Sequence, residues 1–306
     1  MRNAFISTLV ELAERDERVV LLTGDLGFTV LEPFAELFPD RFFNAGVAEQ
    51  NMVGVATGLA EAGYTPYAYS IATFASMRAY EFIRNGPVLH RLPVRIVGVG
   101  GGMDYGHNGM THFALEDVAM MRVQPALTVV APADPDQART ALRAVQDLPG
   151  PVYLRLGKAS TPVPGLGGRF KLGRAEMIGS GEDLALVALG PMAVPALEAA
   201  ELLGRRGVAT TVAIVSSLNP SPVEDLAGLF GSVPLALAAE AHYENGGLGS
   251  LAAEIIAEHG LGCRLVRAGV GSMPAGVTGS TEYMFDRFGL SGERLADAAM
   301  QALAAA

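Results

Sequence analysis

Short apolar runs alternate along the chain with stretches whose apolar positions recur every three or four residues, the periods of strand and helix. Phe5, Leu9, Leu12 and Ala13 fall on one face of an N-terminal helix. Runs at 19–23, 65–70, 94–97, 127–131 and 152–156 read as strands, and 32–37, 48–62, 73–84 and 115–121 read as helices. Asp134 followed by Pro135 is a helix start, opening a helix that runs to 147. Between 158 and 183 the chain is rich in Gly, Pro and Ser, and then the alternation restarts. Strands are expected at 184–189, 210–215, 235–240 and 264–270, with helices at 194–203, 223–229, 248–258 and 292–305. This order predicts an α/β fold of two domains, each a mainly parallel sheet with helices on both faces. The boundaries expected are 1–160 for the first domain, 161–182 for a linker and 183–306 for the second.

Composition permits a large buried core, since half of the 306 residues are hydrophobic and 18% are charged. A net charge of −10 argues against a nucleic-acid partner, which needs clustered Lys and Arg. It leaves room for a small anionic substrate, which one or two local cations can hold. Cys263 is the one cysteine, so no internal disulfide forms, which fits a cytoplasmic protein with a buried, inert thiol. The first residues mix Arg2, Glu11, Glu14 and Asp16 into an amphipathic pattern, unlike a signal peptide. No apolar run is long enough to span a bilayer, so no membrane association is expected.

Candidate chemistry concentrates in a few places. Glu49 is a lone carboxylate in the nearly uncharged run Ala45-Gly-Val-Ala-Glu-Gln-Asn-Met-Val-Gly54. Burying it is costly without a partner, so it marks a site; alone it also reads as a carboxylate meeting a helix dipole. Phe74 offers a flat apolar face, or is a core aromatic. His107 and His112 end a glycine-rich segment that begins at Gly98, a composition suited to close approach to a ligand. His107 reads equally as an exposed loop histidine. No Gly-Lys-Ser/Thr follows, so this is not a phosphate loop, and two histidines without a third ligand are poor metal evidence. Arg155 and Lys158 stand at the end of the last strand of the first domain, where ligands gather. Asp25 sits in Gly24-Asp25-Leu26-Gly27, and a plain turn aspartate is its alternative reading.

Glu49, Phe74 and the Gly109-Met-Thr-His112 segment together resemble the pyrimidine-binding half of the transketolase family, which uses thiamine diphosphate. The resemblance runs the length of the chain, but only to the C-terminal half of an ordinary transketolase. It implies that Glu49 bonds N1′ of the cofactor's aminopyrimidine and that Phe74 stacks on that ring. It implies that His112, with His107, moves protons at the substrate, and that Asp25 lies on the cofactor side. Asn108, Lys158 and Arg155 are then substrate contacts. Three positions depart from the family pattern. Asn108 stands where Asp is common, Gly100–Gly102 where sugar-phosphate users carry a basic residue or His, and Ala131 where they place Arg. These departures weaken the expectation of a phosphorylated substrate. Glu240-Ala241-His242 and Gly246-Gly-Leu-Gly249 resemble structural parts of the family's C-terminal domain.

The family holds its diphosphate and Mg²⁺ with Gly-Asp-Gly, and this chain contains none. The resemblance therefore implies one subunit of a split transketolase, with no metal ligands of its own. An N-terminal, diphosphate-binding subunit would bring Mg²⁺, and an α2β2 heterotetramer would form the active site between chains. The expected reaction moves a two-carbon ketol unit from a ketose, a sugar or sugar phosphate, to an aldehyde. Alternatives are a deoxyxylulose-phosphate synthase or a 2-oxoacid dehydrogenase β-subunit acting on pyruvate, or a scaffold subunit without activity.

Overall fold

Unbroken apolar runs become strands covered on both faces. The computed structural model describes residues 1–305, and among these the strands form two sheets. In chain order they are β1 (Val19–Thr23), β2 (Phe42–Asn44), β3 (Thr65–Ile71), β4 (Arg95–Val99), β5 (Thr128–Val130), β6 (Val152–Leu156), β7 (Ala175–Ile178), β8 (Leu184–Leu189), β9 (Thr210–Val215), β10 (Ser217–Asn219), β11 (Leu235–Tyr243) and β12 (Arg264–Val270). The first sheet runs β10-β5-β6-β4-β3-β1-β2 and the second β12-β11-β8-β9-β7. Both are parallel except at one edge each, where β10 lies antiparallel on β5 and β7 antiparallel on β9. Every residue of β1, β4, β6 and β8 is buried, as expected of parallel strands between two helical layers.

On one face of the first sheet, Phe5 and Leu9 of the helix Arg2–Arg15 meet Leu21, Tyr67 and Val97, together with Leu142 of the helix Pro135–Val145. On the other face, Met52, Val53 and Ala56 of the helix Glu49–Glu61 pack on Leu22 and Ile96. That core continues into the second sheet through Ala185, Val187 and Val215, so the two halves share buried surface. Asp134 caps its helix as expected, accepting from Gln137 N at 2.7 Å, and its second oxygen accepts from Val163 N at 2.7 Å. No helix among the described residues is long and apolar enough to cross a membrane.

Three features differ from the expected pattern. The helix expected over 73–84 is broken into a π turn Phe74–Arg78, an α turn Tyr80–Ile83 and a second π turn Arg84–Val88. Pro87 lies in the second π turn, where it lacks the N–H that a regular α turn needs. The stretch 161–182, read as linker, contains β7, an edge strand whose four residues are all half-buried. Ser217–Asn219, from the second half of the chain, crosses over to edge the first sheet.

The C-terminal ends of β1, β3, β4 and β6 point to one edge of the first sheet. Gly24, Gly100–Gly102 and Lys158 follow these ends, and Ser70 is the last residue but one of β3. Crevices at such edges are where open parallel sheets bind ligands.

Candidate active site

Glu49 is the first residue of its helix, and its side chain is only 2% exposed. The backbone makes room for it. A Cβ at Gly24 would lie 3.4 Å from Glu49 Oε1, and Gly46 takes φ +71°, in the left-handed region that favours glycine. Both carboxylate oxygens are satisfied. Ser70 Oγ donates to Oε1 at 3.0 Å, and Arg78 Nη1 donates to Oε2 at 3.0 Å. A hydroxyl and a cation thus offset the desolvation of the buried charge.

From Glu49 the site extends as a row of rings and cations. The Arg78 guanidinium carbon lies 3.9 Å over the Phe74 ring. Phe74 and His112 meet edge to face, with ring centroids 5.2 Å apart and planes at 63°. His112 Nδ1 is 3.0 Å from Thr111 Oγ1, and its ring lies 6.1 Å from that of Tyr105. Lys158 Nζ stands 4.6 Å over the Tyr105 ring. The Lys158 backbone N–H donates to Asp104 Oδ2 at 2.7 Å, which fixes the turn that carries the lysine. Glu49, Phe74, His112 and Lys158 are therefore one continuous arrangement, with Arg78 and Tyr105 as its links.

Other residues singled out in the sequence lie around this row. Asp25 is exposed at φ +57°, and its carboxylate accepts from Asn44 Nδ2 at 2.9 Å, beside the Glu49 loop. His107 and Asn108 are exposed on the turn Gly106–Asn108. That turn is tied to the second domain, since Gly279 N donates to Gly106 O at 3.1 Å.

Arg155, read above as a substrate contact, is instead committed to a buried cross-link. Its Nε donates to Asp117 Oδ2 at 2.7 Å, and its Nη2 donates to Ala114 O at 3.1 Å and Ala241 O at 3.0 Å. Tyr153 Oη also donates to Asp117, at 2.8 Å. Burial, and then the Asp117 charge, push the Tyr153 phenol well above its usual range, so it remains a donor. The cluster joins β6, the glycine-rich segment and β11. Glu240 accepts from Leu248 N and Gly249 N, both at 2.8 Å, and so caps the helix Leu248–Glu258.

Sequence reasoning passed over Ser70, Arg78 and Tyr105. Ser70 is a polar residue near the end of an apolar strand, and Arg78 is the one cation between Ala72 and Phe82. Both were visible as exceptions to their surroundings.

The space between Glu49 and Phe74 accepts a flat group with N–H donors on its edge, because a guanidinium fills it. The same carboxylate and ring face suit an aminopyrimidine, so the residues present fit that half of thiamine diphosphate. Among the described residues no group of three or more His, Cys, Asp or Glu could hold a metal ion.

Residues 1–164 match the pyrimidine binding domain family of transketolase, and residues 173–295 match the transketolase C-terminal domain family. A Methanocaldococcus jannaschii protein named as a transketolase C-terminal section is 36% identical over 305 residues, covering 98% of this chain and 95% of that protein. One of the subunits of an apulose-4-phosphate transketolase from Phocaeicola vulgatus is 32% identical over 303 residues, covering 98% and 96%. A solved structure described as a split gene transketolase, inactive beta4 tetramer, superimposes with a TM-score of 0.89 at 38% identity, covering 99% of this chain and 98% of the other.

Proposed function

The chain belongs to the transketolase family, and from that membership we propose that it is the pyrimidine-binding subunit of a split, thiamine diphosphate-dependent transketolase. It moves a two-carbon ketol unit from a ketose donor to an aldehyde acceptor. One observation carries the reading: the Arg78 guanidinium bridges a buried carboxylate, Glu49, to the flat side of Phe74, and His112 meets the same ring edge to face. Residues 1–160 act as the first domain, and 161–182 lead into the second domain and supply its edge strand β7.

Thiamine diphosphate, when bound, supplies the nucleophilic carbon that accepts the two-carbon fragment. Glu49 holds the pyrimidine N1′, and Ser70 fixes the carboxylate oxygen that would otherwise swing. Phe74 orients the ring by stacking. His112, with Nδ1 engaged by Thr111, uses its other nitrogen to give and take a proton at a substrate hydroxyl. His107 and Asn108, exposed on the same segment, meet the substrate as it enters. Lys158 supplies a cation at the far end of the row, and Asp25 lines the cofactor side.

The diphosphate and Mg²⁺ belong to a separate N-terminal subunit, and the working assembly is an α2β2 heterotetramer. Two relatives support this division: one is named as a subunit of its transketolase, and the other is described as an inactive beta4 tetramer. The test is reconstitution with a diphosphate-binding partner, thiamine diphosphate and Mg²⁺. Ketol transfer should appear only in the mixture, and Glu49→Ala should abolish it while assembly persists. Full activity in Glu49→Ala would overturn the reading. Release of carbon dioxide from pyruvate would instead favour a synthase or dehydrogenase.

A further inference from the structure

Arg78 stands on both contacts that the proposed function assigns to the cofactor ring. Its Nη1 lies 3.0 Å from Glu49 Oε2, and its guanidinium carbon lies 3.9 Å over Phe74. A guanidinium is flat, carries donors along its edge and stacks on aromatic faces, as an aminopyrimidine does. A ring stacked on this face of Phe74, with its nitrogen at Glu49, would occupy the volume that the guanidinium fills. His112 meets the same ring edge to face, with centroids 5.2 Å apart.

We infer that Arg78 is an internal placeholder for the aminopyrimidine: it closes the cofactor-free site by pairing with Glu49 and stacking on Phe74, and it must swing out for the cofactor to enter. This rests on the proposed function above.

The surroundings suit such a movement. Arg78 is 46% exposed while its partner Glu49 is 2% exposed, so the cation can leave without crossing packed side chains. It lines an open cleft of about 440 Å³ with Val47, Gln50 and Asn51, which gives it a solvated place to go. It is also the last residue of the π turn Phe74–Arg78, a local departure from α geometry of the kind that recurs at functional sites. The placeholder has a structural use as well. Without a cofactor, Glu49 would otherwise be a buried charge with only the Ser70 hydroxyl opposite it.

A site that is closed most of the time binds its ligand more weakly, by the fraction of molecules that are open. Calorimetric titration of the cofactor-free complex with thiamine diphosphate and Mg²⁺ tests this without measuring turnover. Arg78→Ala should tighten apparent binding about tenfold, and Arg78→Lys, which keeps the charge but not the flat stack, should fall between it and the wild type. Arg84→Ala, an exposed neighbour, should bind as the wild type does. If Arg78→Ala, or Arg78→Lys where only that variant assembles, binds no more tightly than a wild type that binds normally, the placeholder is overturned and the proposed function stands. If the wild-type complex does not bind thiamine diphosphate, both fall.

Discussion

Arg155 Nε donates to Asp117 Oδ2 at 2.7 Å, with 3% of one side chain and none of the other exposed. Removing one partner of a buried pair leaves an uncompensated charge, which costs about 3–5 kcal/mol. Arg155→Ala should lower stability by that amount, read from the shift of the urea midpoint. Arg155→Met combined with Asp117→Leu removes both charges and should recover part of the loss. A surface-like effect below about 0.5 kcal/mol would remove Arg155 from its place as the joint between β6 and β11.

Ser70 is the neutral half of the Glu49 environment, donating to Oε1 at 3.0 Å from a fully buried position. A hydrogen bond to a charged group contributes about 1.5–3 kcal/mol. Ser70→Ala should therefore reduce turnover of the reconstituted complex by roughly tenfold or more, through a carboxylate that has lost the hydroxyl donor fixing Oε1. Subunit assembly, followed by analytical ultracentrifugation, should be unchanged. Unaltered turnover would show that the position of Oε1 does not matter to the reaction.

The strands legible in the sequence are mostly those buried on both faces, with the edge strand β12 the exception, found end for end although only Val270 is buried. β8 is an unbroken apolar run, β1 is one up to its final Thr23, and β6 is interrupted only by Arg155; the ends of all three fall on the expected residues. β7 and β10 are not legible, because an edge strand needs no such run and β10 is set by its partner β5 in another part of the chain. The π turn at Phe74–Arg78 leaves the apolar pattern of a helix intact while changing its winding, so only coordinates reveal it. The carboxylate, ring and imidazole of the site stand out as residue types. Their links do not. Arg155 shows why: a cation at a strand end looks available until Asp117, 38 residues earlier, is found beside it.

Cys263 is 6% exposed, and burial pushes its thiol up to about 11. The thiolate is the reactive form, so native alkylation should be slow near neutral pH and rise towards pH 11, against about 9.0 for an ordinary thiol. Between those values the unfolded chain has lost the proton that the folded chain keeps, so this group lowers stability as pH rises. Mass spectrometry of iodoacetamide labelling over this range checks the midpoint. A midpoint near that of the denatured chain would mean an exposed thiol.

The substrate role proposed for Lys158 can be tested by comparing phosphorylated and unphosphorylated sugars. Lys158 is exposed, held by its backbone to Asp104, and stands over Tyr105 at the end of the row that begins at Glu49. An ammonium there is a point charge able to meet a phosphate, while Gly100–Gly102 and Ala131 offer no second cation. If Lys158 is the phosphate contact, Lys158→Ala should raise KM for a phosphorylated substrate about tenfold or more and leave an unphosphorylated analogue within twofold, since a charge-assisted contact contributes about 1.5–3 kcal/mol. The split between KM and kcat separates this from a structural effect, because loss of the turn at Asp104 would lower both substrates' turnover alike. Equal effects on the two substrates would assign Lys158 to the Tyr105 ring alone, and no phosphate contact would remain assigned to this chain.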